Sequence, residues 1–145
     1  MVKPMLNEKS CGAVVYTKDS ETKYLLLQYE AGHWDFVKGN VEQGENEKET
    51  TVRELGEETS ITNARFIEGY REKIGYYYKR QGSTVYKEVV FFLMESPTKN
   101  VKLSFEHIGY AWLTYEAAME KLTFKNARDV LQKAREYLNK QGLIK

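Results

Sequence analysis

Apolar residues along the chain gather in short runs that are typical of buried β-strands. Cys11–Thr17 (CGAVVYT) and Lys23–Tyr29 (KYLLLQY) lie on either side of the turn residues KDSE. A longer β-type region covers Ala64–Tyr78, and the turn KRQGS connects it to Thr84–Glu95 (TVYKEVVFFLME). Ile108–Thr114 (IGYAWLT) is a further run of this kind. The pattern predicts a sheet of several strands.

Three other segments have apolar and polar residues at helical spacing. Glu45–Glu58 begins within GEN and carries acidic residues in its first turn. Tyr115–Leu122 and Asn126–Lys140 follow near the end of the chain. The last helix has an apolar stripe formed by Val130, Leu131, Ala134 and Leu138. GHWDFVKGN, residues 32–40, is typical of a loop. These elements predict an α+β fold, or a three-layer α/β/α sandwich with a mixed β-sheet between helices.

Composition narrows the class of protein. The chain has 145 residues and no internal repeat or Gly/Ser linker, so residues 1–145 are expected to form a single domain. A net charge of +1 argues against stable nucleic-acid binding and against attraction to a membrane surface. Cys11 is the only cysteine, which excludes an internal disulfide and favours a reducing compartment. The sequence shows no apolar run long enough to span a membrane and no apolar core of a signal peptide, so a cytoplasmic location is expected.

The segment RELGEET places three carboxylates on one face of the predicted helix. Glu54, Glu57 and Glu58 lie at i, i+3 and i+4, within an arc of about 100°, while Val52 and Leu55 point elsewhere. An exposed acidic face is one interpretation, because it costs only ~0.2–0.5 kcal/mol per like-charge pair. If the face is partly buried, a divalent cation is needed to offset the repulsion, and Mg²⁺ suits carboxylate and phosphate oxygens.

The residues on either side of this helix favour the interpretation that its carboxylates form a metal site. GNVEQGENEKETTVRELGEETSI, residues 39–61, resembles the Nudix box. Eight of the nine defined positions match, namely Gly39, Glu45, Arg53, Glu54, Leu55, Glu57, Glu58 and Ile61. Ser60 departs from the pattern, which has a glycine suited to a helix C-cap there.

The resemblance implies a loop–helix–loop that hydrolyses a nucleoside diphosphate linked to another group. Gly39 would offer its carbonyl, and Glu54, Glu57 and Glu58 would hold Mg²⁺, with Mn²⁺ as the alternative. Arg53 would orient the glutamates, and either Glu57 or Glu58 would serve as general base. Glu45 projects away from Glu54, so it is expected to act as a first-turn dipole or backbone partner instead.

Over most of its length, from Cys11 to Tyr137, the chain resembles the asymmetrical diadenosine tetraphosphate hydrolases. The segments that carry it are YLLLQYEAGHWDFVKGNVEQGE, IEGYREKIGYYY, KEVVFFLME, LSFEHIGYAWLTYEAA and LTFKNARDVLQKA. Val37 departs from the proline usual before Lys-Gly. The implied reaction is that of an Mg²⁺-dependent hydrolase: metal-activated water splits diadenosine tetraphosphate, a small-molecule nucleotide, into ATP and AMP.

Several site residues are carried over from that resemblance. His33, Lys38 and Lys87 would contact the polyphosphate. Without such a role, His33 would be an ordinary surface histidine and Lys87 an ordinary edge-strand lysine. Glu106 matches an extra carboxylate that can contribute a metal contact or assist the base, its alternative being an ordinary loop glutamate.

An aromatic pair is implied for the base of the substrate. Tyr76 and Phe124 match positions that can sandwich an adenine by stacking. Core packing is the alternative for both. Tyr77 and Tyr78 alternate across the same strand, so one of them is expected to face the core.

Two other functions are compatible with the box. A pyrophosphohydrolase acting on RNA 5′-triphosphates could use Lys79 and Arg80 at the hairpin tip to follow the RNA backbone. A non-catalytic nucleotide sensor could keep the fold, yet such a module has no need for the three carboxylates, all of which are present.

Overall fold

The computed structural model describes residues 6–144, which form one mixed β-sheet of eight strands and three helices. The strands are β1 (Leu6–Lys18), β2 (Thr22–Tyr29), β3 (Trp34–Asp35), β4 (Val37–Asn40), β5 (Arg65–Phe66), β6 (Glu72–Arg80), β7 (Ser83–Glu95) and β8 (His107–Leu113). The helices are α1 (Glu47–Thr59), α2 (Tyr115–Lys121) and α3 (Lys125–Lys140). None of these helices of residues 6–144 is long and apolar enough to cross a membrane.

The sheet is built around the pairing of β1 with β7. This pair is parallel, from Leu6 opposite Val85 to Tyr16 opposite Glu95. β2 and β4 pair antiparallel with β1, β3 and β8 with β2, and β5 and β6 with β7. The mixed sheet predicted from the sequence is therefore confirmed.

The central strands are buried on both faces. In β1, Val14 and Tyr16 enter one apolar cluster, whereas Ala13 and Val15 enter the other. This explains why β1 has a continuous apolar run and not an alternating pattern. α2 and α3 cover the first face, where all four residues of the predicted stripe on α3 are buried. Leu55 of α1 packs on the opposite face, which gives the three α/β/α layers.

Two predictions about local structure are wrong. Residues 32–40 are not a loop, because Leu27 and Gln28 of β2 pair with β3 while β4 pairs with β1 and buries Val37. The predicted β-region Ala64–Tyr78 is interrupted between β5 and β6. Tyr70 turns into the core there and donates a hydrogen bond of 2.8 Å to the carbonyl of Val130.

The ends of α1 follow from its capping residues. Asn46 and Glu49 form a reciprocal capping box, so the helix begins at Glu47, two residues later than predicted. At the other end Ser60 has φ 66°, the left-handed conformation that glycine adopts without strain. The departure of Ser60 from the Nudix box therefore falls on a helix C-cap. The Ser60 hydroxyl donates to the Lys102 carbonyl at 3.3 Å.

We expect Ser60→Gly to raise the free energy of unfolding by about 1 kcal/mol, because glycine relieves the left-handed strain. Ser60→Ala is the matched control, since it keeps the strain and loses the bond to Lys102. It should lower stability. Urea denaturation of the three proteins measures both effects, and a Ser60→Gly protein no more stable than the wild type would show that the cap is unstrained.

Candidate active site

Arg53 lies at the centre of a group of carboxylates on α1 and the loop before it. Its Nε donates to Glu45 Oε2 at 2.6 Å, and one terminal nitrogen donates to Glu54 at 2.7 Å and to Glu57 at 3.1 Å. The other terminal nitrogen donates to the carbonyl of Asn40 at 2.9 Å. One guanidinium therefore joins the acidic helix to the end of β4 and partly neutralises the carboxylates beside it.

Glu45 is a fixed partner in this group. Its carboxylate accepts from the backbone N–H of Glu42 at 3.0 Å and from the Thr50 hydroxyl at 2.8 Å. The bond from Arg53 and these contacts lower the pKa of Glu45 to about 2. The expected backbone contact of Glu45 is confirmed, whereas its ion pair with Arg53 was not predicted.

Glu58 lies buried behind the other carboxylates and contacts His107. The distance from Glu58 Oε1 to His107 Nε2 is 2.5 Å, and Glu58 Oε2 has no hydrogen-bond partner within residues 6–144. Burial, together with the neighbouring carboxylate of Glu54, raises the pKa of Glu58 well above its usual range. Burial also lowers the pKa of His107. Burial therefore favours the neutral form of both side chains.

A cavity of about 500 Å³ opens in front of this group and is called the acidic cavity below. Its lining includes Gly39, Arg53, Glu54, Glu57 and Glu106 together with Lys38 and Lys87. Gly39 packs directly on Glu54, since a Cβ atom at position 39 would lie 1.9 Å from Glu54 Cδ. Any side chain there would displace that carboxylate. The structure thus brings together the predicted metal ligands with Lys38 and Lys87, except that Glu58 lies behind the lining, and the predicted phosphate contact His33 lies outside this cavity.

These residues fit a divalent cation in chemistry. The carboxylates of Glu54, Glu57 and Glu106 line the cavity in front of Glu58, and their charges disfavour its ionisation. A cation would relieve that repulsion, and among residues 6–144 nothing bonds the buried Glu58 Oε2. Within residues 6–144, no three His, Cys, Asp or Glu side chains already converge on one point. Arg53 and His107 bond these carboxylates instead. The carboxylates must therefore release Arg53 and His107 before they can coordinate a cation.

A second cavity, of about 450 Å³, is called the aromatic cavity below. It is lined by His33, Asp35, Lys38, Ile74, Tyr76, Phe124, Asn126 and Ala127. The predicted residues His33, Lys38, Tyr76 and Phe124 are therefore together, and Lys38 also lines the acidic cavity. The His33 ring stacks on Tyr29 at 4.7 Å and lies 5.5 Å from the Phe124 ring.

The two lysines of the acidic cavity have fixed partners. Lys38 lies 3.2 Å from the buried carboxylate of Asp35, and Lys87 donates to Asn40 Oδ1 at 3.0 Å. Burial lowers the pKa of Lys87, although Glu8, 3.8 Å away, opposes that shift. Sequence reasoning missed Asp35, Asn40 and Glu8 because no spacing along the chain shows their contacts.

His107 could have been found from the sequence. It is one of two histidines in the chain, and it directly follows the predicted carboxylate Glu106. The expectation for the tyrosines of β6 is wrong, because neither Tyr77 nor Tyr78 enters the core. Among residues 6–144, β6 pairs only with β7, and its Tyr77 is 65% exposed while Tyr78 donates to Glu8.

The comparisons with known proteins agree with this fold and site. Residues 7–134 match the NUDIX domain family. The chain therefore belongs to the Nudix family and is a Nudix hydrolase, a class that uses divalent metal ions and acts on small nucleotide substrates.

Its relatives include the asymmetrical bis(5′-nucleosyl)-tetraphosphatase of Mus musculus, which is 34% identical over 143 residues, 90% of this chain and 95% of the mouse protein. The Caenorhabditis elegans protein of the same name is 31% identical over 136 residues, 90% of this chain and 96% of its own. A binary complex of the C. elegans Ap4A hydrolase superposes with a TM-score of 0.81 at 30% identity, covering 91% of this chain and 98% of that one.

The protonated state of Glu58 generates a pH prediction for the metal-free protein. A carboxyl whose pKa is raised on folding contributes stability below its unfolded pKa, near 4.5, and that contribution is lost as the pH rises toward the folded value. We expect the stability of the wild type in a chelator to fall from pH 5 to pH 9 relative to Glu58→Gln, which has a similar shape but no carboxyl group to titrate. Parallel stability curves for the two proteins would contradict the assignment.

Proposed function

We propose that residues 1–145 form a single domain that hydrolyses dinucleoside polyphosphates, splitting diadenosine tetraphosphate into ATP and AMP. The relatives with this printed activity cover nearly the whole chain. The observation that carries the proposal is the pair of cavities that meet at Lys38. One cavity has aromatic walls suited to a base, and the other has cations and carboxylates suited to phosphates and a metal ion.

The aromatic cavity is proposed to hold one adenine of the substrate. Phe124 is 50% exposed, and Tyr76 is half-buried where it packs against the edge of the core, so both rings remain on the wall of this cavity. Stacking between two rings favours a flat base at little cost in side-chain entropy. His33 forms part of the wall. Because burial lowers the pKa of His33, it is uncharged at neutral pH and acts by contact more than by charge.

Mg²⁺ is proposed as the cation, held by Glu54, Glu57 and Glu58 with the Gly39 carbonyl and Glu106. These ligands are all oxygens, and the tetraphosphate supplies more of them, which matches the preference of Mg²⁺ and also suits Mn²⁺. When bound, the cation neutralises phosphate charge and lowers the pKa of a water molecule. The charge it supplies also allows Glu58 to ionise in its buried position.

The carboxylates of α1 differ in what they can do with the attacking water. Glu57 lines the acidic cavity and its side chain is 59% exposed, so water reaches it. Glu58 is buried and bonded to His107. This difference supports Glu57 as the general base and Glu58 as a ligand held in place from behind. Arg53 bonds both Glu54 and Glu57 and so limits the rotation of their side chains.

Lys38 and Lys87 are proposed to bind the polyphosphate. Lys38 lines both cavities, so it lies where the chain of phosphates would pass from the base to the carboxylates. Lys87 lies farther along, within the acidic cavity. Two ammonium groups there stabilise the charge that develops on the departing triphosphate as the bond to the attacked phosphorus breaks. The hydrolysis needs no covalent intermediate.

The structure gives less support to the binding of an RNA 5′-end than to the binding of a dinucleoside polyphosphate. Arg80 ion-pairs with Glu8 at 2.6 Å, and Lys79 donates to the Thr84 hydroxyl at 2.6 Å. Both cations of the hairpin tip are thus already engaged, and one of them faces a carboxylate. A non-catalytic sensor is equally disfavoured, because Glu58 is buried at a position where a sensor would tolerate an apolar residue.

Product analysis tests the proposal. We expect Mg²⁺-dependent turnover of diadenosine tetraphosphate to ATP and AMP, and little turnover of triphosphorylated RNA, when a nucleotide panel is separated by chromatography. Glu57→Gln should lower kcat about 100-fold or more without loss of thermal stability, because it removes a base but no packing. Preferred hydrolysis of the RNA, or binding without turnover, would contradict the proposal.

We expect Lys87→Met to lower kcat/KM for diadenosine tetraphosphate about tenfold or more, and to affect ADP-ribose, with its two phosphates, far less. Lys87 lines the acidic cavity but not the aromatic one, so a longer phosphate chain is needed to reach it from a base held in the aromatic cavity. Lys79→Met, on the neighbouring strand and outside both cavities, is the matched control and should leave both substrates unchanged. Equal losses on both substrates for Lys87→Met would show that Lys87 does not sense chain length.

A further inference from the structure

The side chain of Asn40 joins two strands at the acidic cavity, and the proposed mechanism gives it no role. Asn40 ends β4, pairs with Ser10 of β1 and lines the acidic cavity. Its side-chain oxygen accepts from the Ser10 hydroxyl at 2.9 Å and from the Lys87 ammonium at 3.0 Å. Its backbone carbonyl accepts from Arg53 at 2.9 Å. Asn40 therefore lies between the lysine proposed for the polyphosphate and the arginine that bonds the carboxylates.

These contacts fix the orientation of the Asn40 amide. An ammonium group only donates hydrogen bonds, so the amide oxygen, and not its nitrogen, must face Lys87. The buried Ser10 hydroxyl donates to the same oxygen. If the amide turned over, both bonds would be lost. Because an ammonium group carries three donors, the bond to Asn40 leaves two further N–H groups of Lys87 for a phosphate.

Glu8 is a competing partner for the same ammonium. Glu8 Oε1 lies 3.8 Å from Lys87 Nζ, beyond hydrogen-bond distance, and Glu8 is not among the lining residues of the acidic cavity. Tyr78 and Arg80 already donate to the two oxygens of this carboxylate. A hydrogen-bonded ion pair with a carboxylate is stronger than a bond to a neutral amide, and it would neutralise the ammonium. The neutral oxygen of Asn40 directs Lys87 without cancelling its charge.

We propose that Asn40 is a positioning residue, whose side-chain oxygen keeps the Lys87 ammonium at the acidic cavity and away from Glu8. The inference rests on the proposed function, because it assumes that Lys87 binds a polyphosphate in this cavity. Without the Asn40 acceptor, the flexible Lys87 side chain moves toward Glu8, and its charge is lost to the phosphates. Asn40 thus acts on the substrate through Lys87.

Two substitutions at position 40 isolate this contact. Asn40→Leu has a similar branched shape without an acceptor, and Asn40→Ala removes the acceptor without adding apolar volume. Asn40 is exposed, and both variants keep the backbone carbonyl that Arg53 bonds. Asn7→Leu is the matched control, because it makes the same change at an exposed residue of β1 outside the linings of both cavities. Each variant at position 40 is also combined with Lys87→Met.

The experiment is a double-mutant cycle. It measures the affinity for inorganic tripolyphosphate by titration calorimetry in Mg²⁺, and kcat/KM for diadenosine tetraphosphate. We expect Lys87→Met to lower both about tenfold or more and either Asn40 variant to lower both about three- to fivefold, while Asn7→Leu has no effect. In the Lys87→Met background the Asn40 variants should cause no further loss. A purely structural role for Asn40 would not depend on Lys87, so its losses would multiply.

Losses that multiply in the double variants, Asn40 variants that bind like Asn7→Leu, or a tripolyphosphate affinity that Lys87→Met leaves unchanged would each overturn the inference. These outcomes differ from failure of the proposed function. If diadenosine tetraphosphate is not hydrolysed but the effects on tripolyphosphate affinity are coupled, the positioning of Lys87 by Asn40 stands alone. If hydrolysis occurs and the losses multiply, the hydrolase stands and Asn40 has no part in positioning Lys87.

Discussion

The ionic bonds of Arg53 hold the rest of the candidate site in place. Carboxylates side by side on α1 repel one another, and burial of Glu58 adds the cost of desolvation. Arg53 offsets part of that cost by bonding Glu45, Glu54 and Glu57, and its remaining nitrogen ties the helix to the Asn40 carbonyl at the end of β4. The loop that carries Gly39 and the helix that carries the acids are thereby fixed to each other.

The strands of the sheet position the two lysine side chains that face the carboxylates of α1. Parallel pairing sets Lys87 of β7 opposite Glu8 of β1, and antiparallel pairing sets Lys38 of β4 opposite Gly12 of the same strand. A side chain at position 12 would clash with Lys38, since its Cβ would lie 2.7 Å from the Lys38 Cβ. Strand register, and not loop flexibility, therefore decides where the two ammonium groups face the carboxylates. Such rigid support is what a site that aligns a long polyphosphate requires.

Sequence reasoning succeeded where the information is local. The spacing within α1 predicted the shared face of its carboxylates, and the stripe on α3 predicted its buried side. It failed at β3 and β4, because those residues become strands only by pairing with β2 and β1. It also missed Asn40, whose bond to Lys87 joins residues 47 positions apart. No local pattern records such contacts.

In the proposed reaction, the aromatic cavity holds one adenosine while the acidic cavity activates water against the phosphorus next to it. Hydrolysis of diadenosine tetraphosphate in heavy-oxygen water, with mass spectrometry of both products, shows which phosphorus is attacked. Attack at that phosphorus places the label in AMP and leaves ATP unlabelled. Label in ATP would place the attack one bond away, and two ADP products would contradict the arrangement of the two cavities altogether.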